Sequence, residues 1–243
     1  MEGIQVVGEN LEIRLQRAGS WMRLAKDLER TIDEPREASE TMLLPKWARS
    51  HELFIFYWIA FNALYGTEGE KEWPKLEAFL KNVETMAKLE GVENISILEE
   101  SIRNCLCDGE TVILDKFLDK AYWAGIRHEN DVIEECQRRW KKAKQAMAQG
   151  KCFPFLSAVF GHLRVLRNQI MHGSASHGQS SKGYKDSLLP GLRVLRTLVP
   201  AFFALVKDYG NSPGLDWGKV PFPRYGSDGH PWKSQLRLNR RAE

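Results

Sequence analysis

The sequence predicts an all-α fold, and three observations predict it. Apolar residues recur at steps of three and four among charged neighbours, the signature of amphipathic helices. No long Val/Ile/Thr-rich alternating stretch of the kind that makes a strand appears. Glycine and proline stand where helices would end or begin, at Gly66, Pro74 and Gly150. No internal repeat of fixed period is present.

The elements follow in order. Residues 9–32, ENLEIRLQRAGSWMRLAKDLERTI, set Leu11, Leu15, Met22 and Leu28 among charges and read as an amphipathic first helix. DEPREASETMLLP, 33–45, is a turn-rich connection. Residues 47–66 form a strongly apolar helix that Gly66 would end. In it, Phe54, Phe56, Tyr57, Trp58 and Phe61 read as core, and Asn62 as a buried polar anchor for helix packing. EWPKLEAFLKNVETMAKLEG, 72–91, is the next helix, with Pro74 in its first turn, where a missing N–H is harmless. Shorter helices are expected near 93–104 and 110–123. DVIEECQRRWKKAKQAMAQG, 131–150, reads as a charged helix, followed by helices over 153–172 and 187–209. HGSASHGQSSKG, 172–183, is a polar loop between the last two, and His177 in it is a further candidate for the site. The expected organisation is one helical domain over 1–209 and an irregular basic tail over 210–243. That tail would hold the body through Trp217, Phe222, Tyr225 and Trp232 and end in RLNRR.

The 243 residues are 43% hydrophobic and 28% charged, the composition of a globular protein. The longest apolar run, LFIFYWIAFNALY at 53–65, falls short of the roughly 18–20 residues of a membrane span. The N-terminus lacks a basic region followed by an apolar one, so no secretory leader and no membrane partner are expected, and the expected location is cytoplasmic. Cys105, Cys107, Cys136 and Cys152 have neither the spacing nor the histidines of a zinc site. They read as reduced structural thiols, with no metal and no cofactor expected.

The net charge of +3 conceals an asymmetry. Residues 1–135 hold 16 Lys and Arg against 27 Asp and Glu, whereas 136–243 hold 19 against 5. A strongly basic half suggests a polyanionic partner, most commonly nucleic acid, unless the two halves neutralise each other by packing. QRRWKKAKQ at 137–145 is the densest basic run. Its Arg138, Arg139, Lys141 and Lys142 are candidate RNA-backbone contacts, with Lys144 beside them and Trp140 expected to pack rather than stack on a base.

LRVLRNQIMHG, 163–173, carries the chemistry. On an ideal helix Arg167 and His172 lie about 140° apart with roughly 7.5 Å of rise. Asn168 and His172 share a face, and Arg164 precedes Arg167 by one turn. Gly173 places His172 at the helix C-terminus, where the dipole favours an imidazolium. These groups suit metal-independent RNA cleavage, in which the 2′-hydroxyl is the nucleophile. Histidine moves the proton, arginine stabilises negative charge on phosphorus through its planar fork, and asparagine orients. The plainer reading is a basic helix end with a His-Gly cap. No other arginine here is followed five residues later by histidine.

Arg167, Asn168 and His172 resemble the signature of the HEPN superfamily: arginine, then usually a polar residue such as asparagine, and histidine after four to six intervening positions. SHELFIFYWIAFNALYG, 50–66, is similar to the earlier core helix of many bacterial HEPN proteins through its W-x-A-F-N-A-L-Y pattern. The resemblance covers about 47–209 and leaves out the first helix and the tail. It implies a HEPN-like helical bundle in a two-fold homodimer, with motifs of both subunits meeting in one composite site. It also implies a metal-independent endoribonuclease acting as a toxin, in phage defence or in RNA processing, with an antitoxin or other regulatory protein as a further partner. Two other readings remain open: a non-catalytic HEPN-like module binding RNA or protein, and a nucleotide-modifying partner of a toxin–antitoxin pair.

Overall fold

The structure is a computed structural model that describes residues 2–33, 46–67, 71–90, 97–107, 138, 141–142, 145–146, 149, 151–171, 187–215 and 217–218. Those residues are almost wholly helical, with no strand among them. Six helices can be traced among the described residues: α1 (Glu2–Asp33), α2 (Lys46–Tyr65), α3 (Glu72–Glu90), α4 (Ile97–Cys107), α5 (Cys152–Met171) and α6 (Leu189–Tyr209).

Several ends fall where local chemistry puts them. Gly66 closes α2, its N–H donating to the Asn62 carbonyl at 2.7 Å. Pro74 sits in the first turn of α3. Other ends differ from expectation. The first helix starts at Glu2 rather than near 9, so the stretch containing Gly3 and Gly8 is helical despite the weak propensity of glycine. The fourth helix is displaced to Ile97–Cys107, where the Glu90 carboxylate accepts the Ile97 N–H at 3.0 Å and satisfies an orphan amide at its start. At the start of α5, Glu84 of α3 accepts the Phe153 N–H at 3.2 Å in the same way. The expected helix near 110–123 and the polar loop 172–183 lie outside the described residues, as does most of 131–150.

The apolar face of α1 is the one the periodicity marks: Leu11 and Met22 are buried, and Leu15 and Leu28 pack against the core. It lies along α2, while α6 packs on α1, α2, α3 and α4. Phe61 of α2 is the hub. Its ring centroid stands 4.4 Å from that of Phe160 (α5), 5.7 Å from Phe79 (α3) and 5.9 Å from Phe202 (α6). Aromatic pairs of this kind add roughly 0.5–1.5 kcal/mol each beyond their burial. Gly191 lets α6 approach closely: a Cβ there would stand 2.8 Å from Leu166 of α5 and 3.3 Å from Phe54 of α2.

Helix α6 is long and apolar enough to cross a membrane by length and composition, although Arg193 and Arg196 interrupt its apolar run. Within the protein 61% of its most apolar stretch is buried, the pattern of a core helix.

Arg14 of α1 is fully buried and ties distant parts together. Its Nη1 donates to the carbonyls of Leu64 (3.0 Å) and Gly66 (2.6 Å), capping the end of α2. Its Nη2 donates to those of Trp217 (2.5 Å) and Gly218 (3.4 Å). Gly218 adopts a φ of 56°, which brings its backbone against Thr67. Trp217 is buried, and its indole N–H donates to the Gly210 carbonyl at 2.8 Å. The start of the tail is thus fastened to the body through Trp217, as expected. Phe222, Tyr225 and Trp232 lie outside the described residues.

Candidate functional site

Helix α5 buries Phe155, Leu156, Val159, Phe160, Leu163 and Leu166. That inward stripe turns Arg164 and Arg167, one helical turn apart, toward α2 and α3. The Arg164 guanidinium lies 5.3 Å from the ring centroid of Trp73, and that of Arg167 lies 5.3 Å from the ring of Trp58. Each is a cation–π contact of about 0.5–2 kcal/mol, according to how dry it is.

Arg167 is also half of an ion pair. Its Nη2 donates to Oε1 of Glu72, the first residue of α3, where the helix dipole favours a carboxylate. The Tyr65 hydroxyl donates to the same oxygen at 3.0 Å. The side chains of Arg167 and Glu72 are 24% and 31% exposed, so the pair is dry on one side and open on the other. The Nε of Arg167 and that of Arg164 are buried without a hydrogen-bond partner. The Tyr65 phenol is held far above its usual range by burial, then by the charge and hydrogen bond of Glu72, with Arg167 and Arg164 opposing. It remains a neutral donor throughout the working pH range.

The rest of the motif divides between solvent and core. Asn168 is exposed, and so is Met171, the last residue of α5. Gln169 is buried, with both amide atoms unpartnered. His172, the proposed proton carrier, lies outside the described residues, as do Arg139, Trp140, Lys144 and His177. Arg138, Lys141 and Lys142 are exposed. The structure therefore brings Arg167 together with Arg164 along one side of α5 and sets Asn168 beside them in solvent.

Asn62 is not the buried anchor that its place in AFNALY suggested. It is exposed, because the buried stripe of α2 runs through Phe54, Trp58, Phe61 and Tyr65 and leaves position 62 outside. It lines a cleft of about 450 Å³ between α1, α2 and α3, along with Arg17, Trp21, Tyr65, Glu72 and Lys75. Tyr65 and Glu72 thus belong both to the cleft and to the group holding Arg167.

No protein-family description matches the chain, and neither curated proteins nor solved structures give a match.

Among the described residues no group of three or more His, Cys, Asp and Glu stands close enough to hold a metal. Cys152 is buried and free, its thiol pushed up to about 11 by burial and then by Glu99 and Glu84. That suits a structural thiol. Cys105 and Cys107 fall on α4 with their side chains outside the described part, and Cys136 lies outside it altogether. Sequence reasoning missed Glu72, Tyr65, Trp58 and Trp73 as partners of the arginines. The one available signal was Glu72 at the head of a helix, and it says nothing of a residue 95 positions away.

Proposed function

We propose that the protein is a HEPN-type, metal-independent endoribonuclease working in the cytoplasm as a homodimer. The observation that carries the reading is the Arg167-Asn168-x-x-x-His172 motif at the end of α5, where Asn168 is exposed and the Arg167 guanidinium is stacked on Trp58 with one side open. An arginine clamped against an aromatic face has lost much of its rotamer freedom, which pre-organises its fork for a phosphate. In the reaction His172 takes or delivers a proton, Arg167 stabilises charge on phosphorus, Asn168 orients, and the attacking oxygen is the RNA 2′-hydroxyl. One histidine cannot be base and acid at once, so two motifs across a two-fold axis share those tasks. Arg164, Arg138, Arg139, Lys141 and Lys142 contact the RNA backbone. Restraint of such an enzyme falls to a regulatory protein or antitoxin, and toxin or phage-defence duty is the setting.

One observation favours a second reading. Glu72 neutralises Arg167, as a purely structural arginine would be neutralised, which suits a HEPN-like module that binds RNA or protein without cutting. The two are separated by incubating the purified protein with single-stranded RNA in EDTA. The nuclease reading expects cleavage that His172→Ala abolishes with the helical circular dichroism unchanged. The binding reading expects intact RNA and equal RNA affinity in both proteins.

A further inference from the structure

The cleft between α1, α2 and α3 has a chemistry the nuclease motif does not use. Its volume of about 450 Å³ lies within the roughly 300–1,000 Å³ typical of small-ligand sites. Trp21 supplies a half-buried indole, propped by Phe56 with ring centroids 5.6 Å apart. Arg17, one helical turn before Trp21, faces the same space, and Lys75 of α3 reaches it from the other side while donating to the Thr67 carbonyl. The exposed Asn62 amide offers both a donor and an acceptor. Glu72, on the inner wall, is already engaged by Tyr65 and Arg167, which offsets its repulsion of an anion.

A flat ring surface, an amide able to read a polar edge and two cations from opposite walls together fit one kind of unit, a nucleotide. Glu72 and Tyr65 line the cleft and also hold Arg167, so the cleft shares a wall with the motif arginine. We infer that this cleft seats one nucleotide of a single-stranded RNA next to the scissile position, with its base against Trp21 and Asn62 and its phosphate near Arg17 and Lys75. The inference rests on the nuclease reading for the identity of the strand. It adds α1, which lies outside the HEPN resemblance, to the substrate-binding surface.

The test is binding of a short, fluorescein-labelled 2′-O-methyl RNA, which the 2′-hydroxyl mechanism cannot cleave, to the full-length protein. Trp21→Ala and Asn62→Ala are each expected to weaken binding about tenfold, in keeping with loss of a stacked and hydrogen-bonded base. Lys75→Ala should weaken it and lower the salt slope by about one. Photocrosslinking with thiouridine in the strand should map to α1 and α2 peptides. Trp21 also packs on Phe56, so if Trp21→Ala does not fold, the exposed Asn62 carries the test. Affinities of Asn62→Ala and Lys75→Ala both within about twofold of the parent, the range of an inert surface change, would overturn the inference. So would crosslinks confined to other helices, or saturation of the cleft by free uridine monophosphate with no effect on strand binding. Cleavage of ordinary RNA is read separately. A protein that binds through the cleft yet cuts nothing loses the nuclease reading alone, and one that cuts RNA but ignores Asn62 and Lys75 loses this one alone.

Discussion

Two clusters of the same three residue types flank α2, and they behave differently. At Tyr57, the hydroxyl donates to Glu29 Oε1 at 3.1 Å, and Arg196 Nε meets the same oxygen at 3.0 Å. Two turns on, Tyr65 and Arg167 meet Glu72 Oε1 in the same pattern. The first ties α1, α2 and α6; the second ties α2, α3 and α5. In the first cluster the carboxylate is the sheltered member, with Glu29 14% and Arg196 55% exposed. In the second the arginine is the deeper one, stacked on Trp58, with an exposed Asn168 next to it in sequence and a partner, Glu72, that lines a cleft. A Tyr–Glu–Arg cluster is therefore first of all a way to join three helices. What marks the second as a candidate site is its surroundings.

The largest difference expected between the clusters is in activity. Arg167→Ala should cut RNA cleavage by about 10²–10³-fold, the usual effect of removing a charge-stabilising donor. Arg196→Ala, in a cluster that includes no residue of the motif, should leave the rate within about twofold. Equal losses in a gel assay of labelled RNA would erase the distinction.

Stability should rank the clusters the other way. Glu29→Gln disturbs the more sheltered carboxylate and should cost about 1–3 kcal/mol in urea unfolding, with Glu72→Gln costing less. A larger loss at Glu72 would mean that the second cluster is the principal brace. Tyr57→Phe and Tyr65→Phe each remove one hydrogen bond and should cost about 1 kcal/mol apiece.

The smallest difference between the clusters is in alkaline stability, where they should act alike. Burial, helped by the adjacent carboxylate, raises both phenols, and Cys152 is pushed up to about 11 from an ordinary 9.0. The unfolded chain releases these protons first, so above pH 9 it binds fewer than the folded one. The stabilisation is complete below pH 9 and drains away as pH rises through 11. Urea midpoints should fall steadily over that window; a flat profile would contradict the burial of these groups.

Much of the scaffold was readable because it rests on local chemistry. Gly66 and Pro74 mark helix ends through backbone geometry, and Leu11 and Met22 mark a face through period. Arg14 was readable in principle, since it stands three residues after Leu11 and four before Ala18, on the buried face of α1. A charge there signals a satisfied interior arginine. Its partner Trp217 is 203 residues away, and no pattern in the chain joins them. The site was legible only as a motif. Arg167, Asn168 and His172 stand within six positions, but Glu72, Trp58 and the cleft exist only after α2, α3 and α5 have packed. Asn62 was misjudged because an amide within an aromatic run suggests burial, whereas the stripe of α2 leaves its position outward.

The most direct test of the account is the chemistry of the RNA ends. If Arg167 and His172 serve a 2′-hydroxyl attack, mass spectrometry of products formed in EDTA will find 2′,3′-cyclic phosphates facing 5′-hydroxyls, absent with His172→Ala. Intact RNA at every protein concentration, or fragments with 5′-phosphates that persist in His172→Ala, would contradict it.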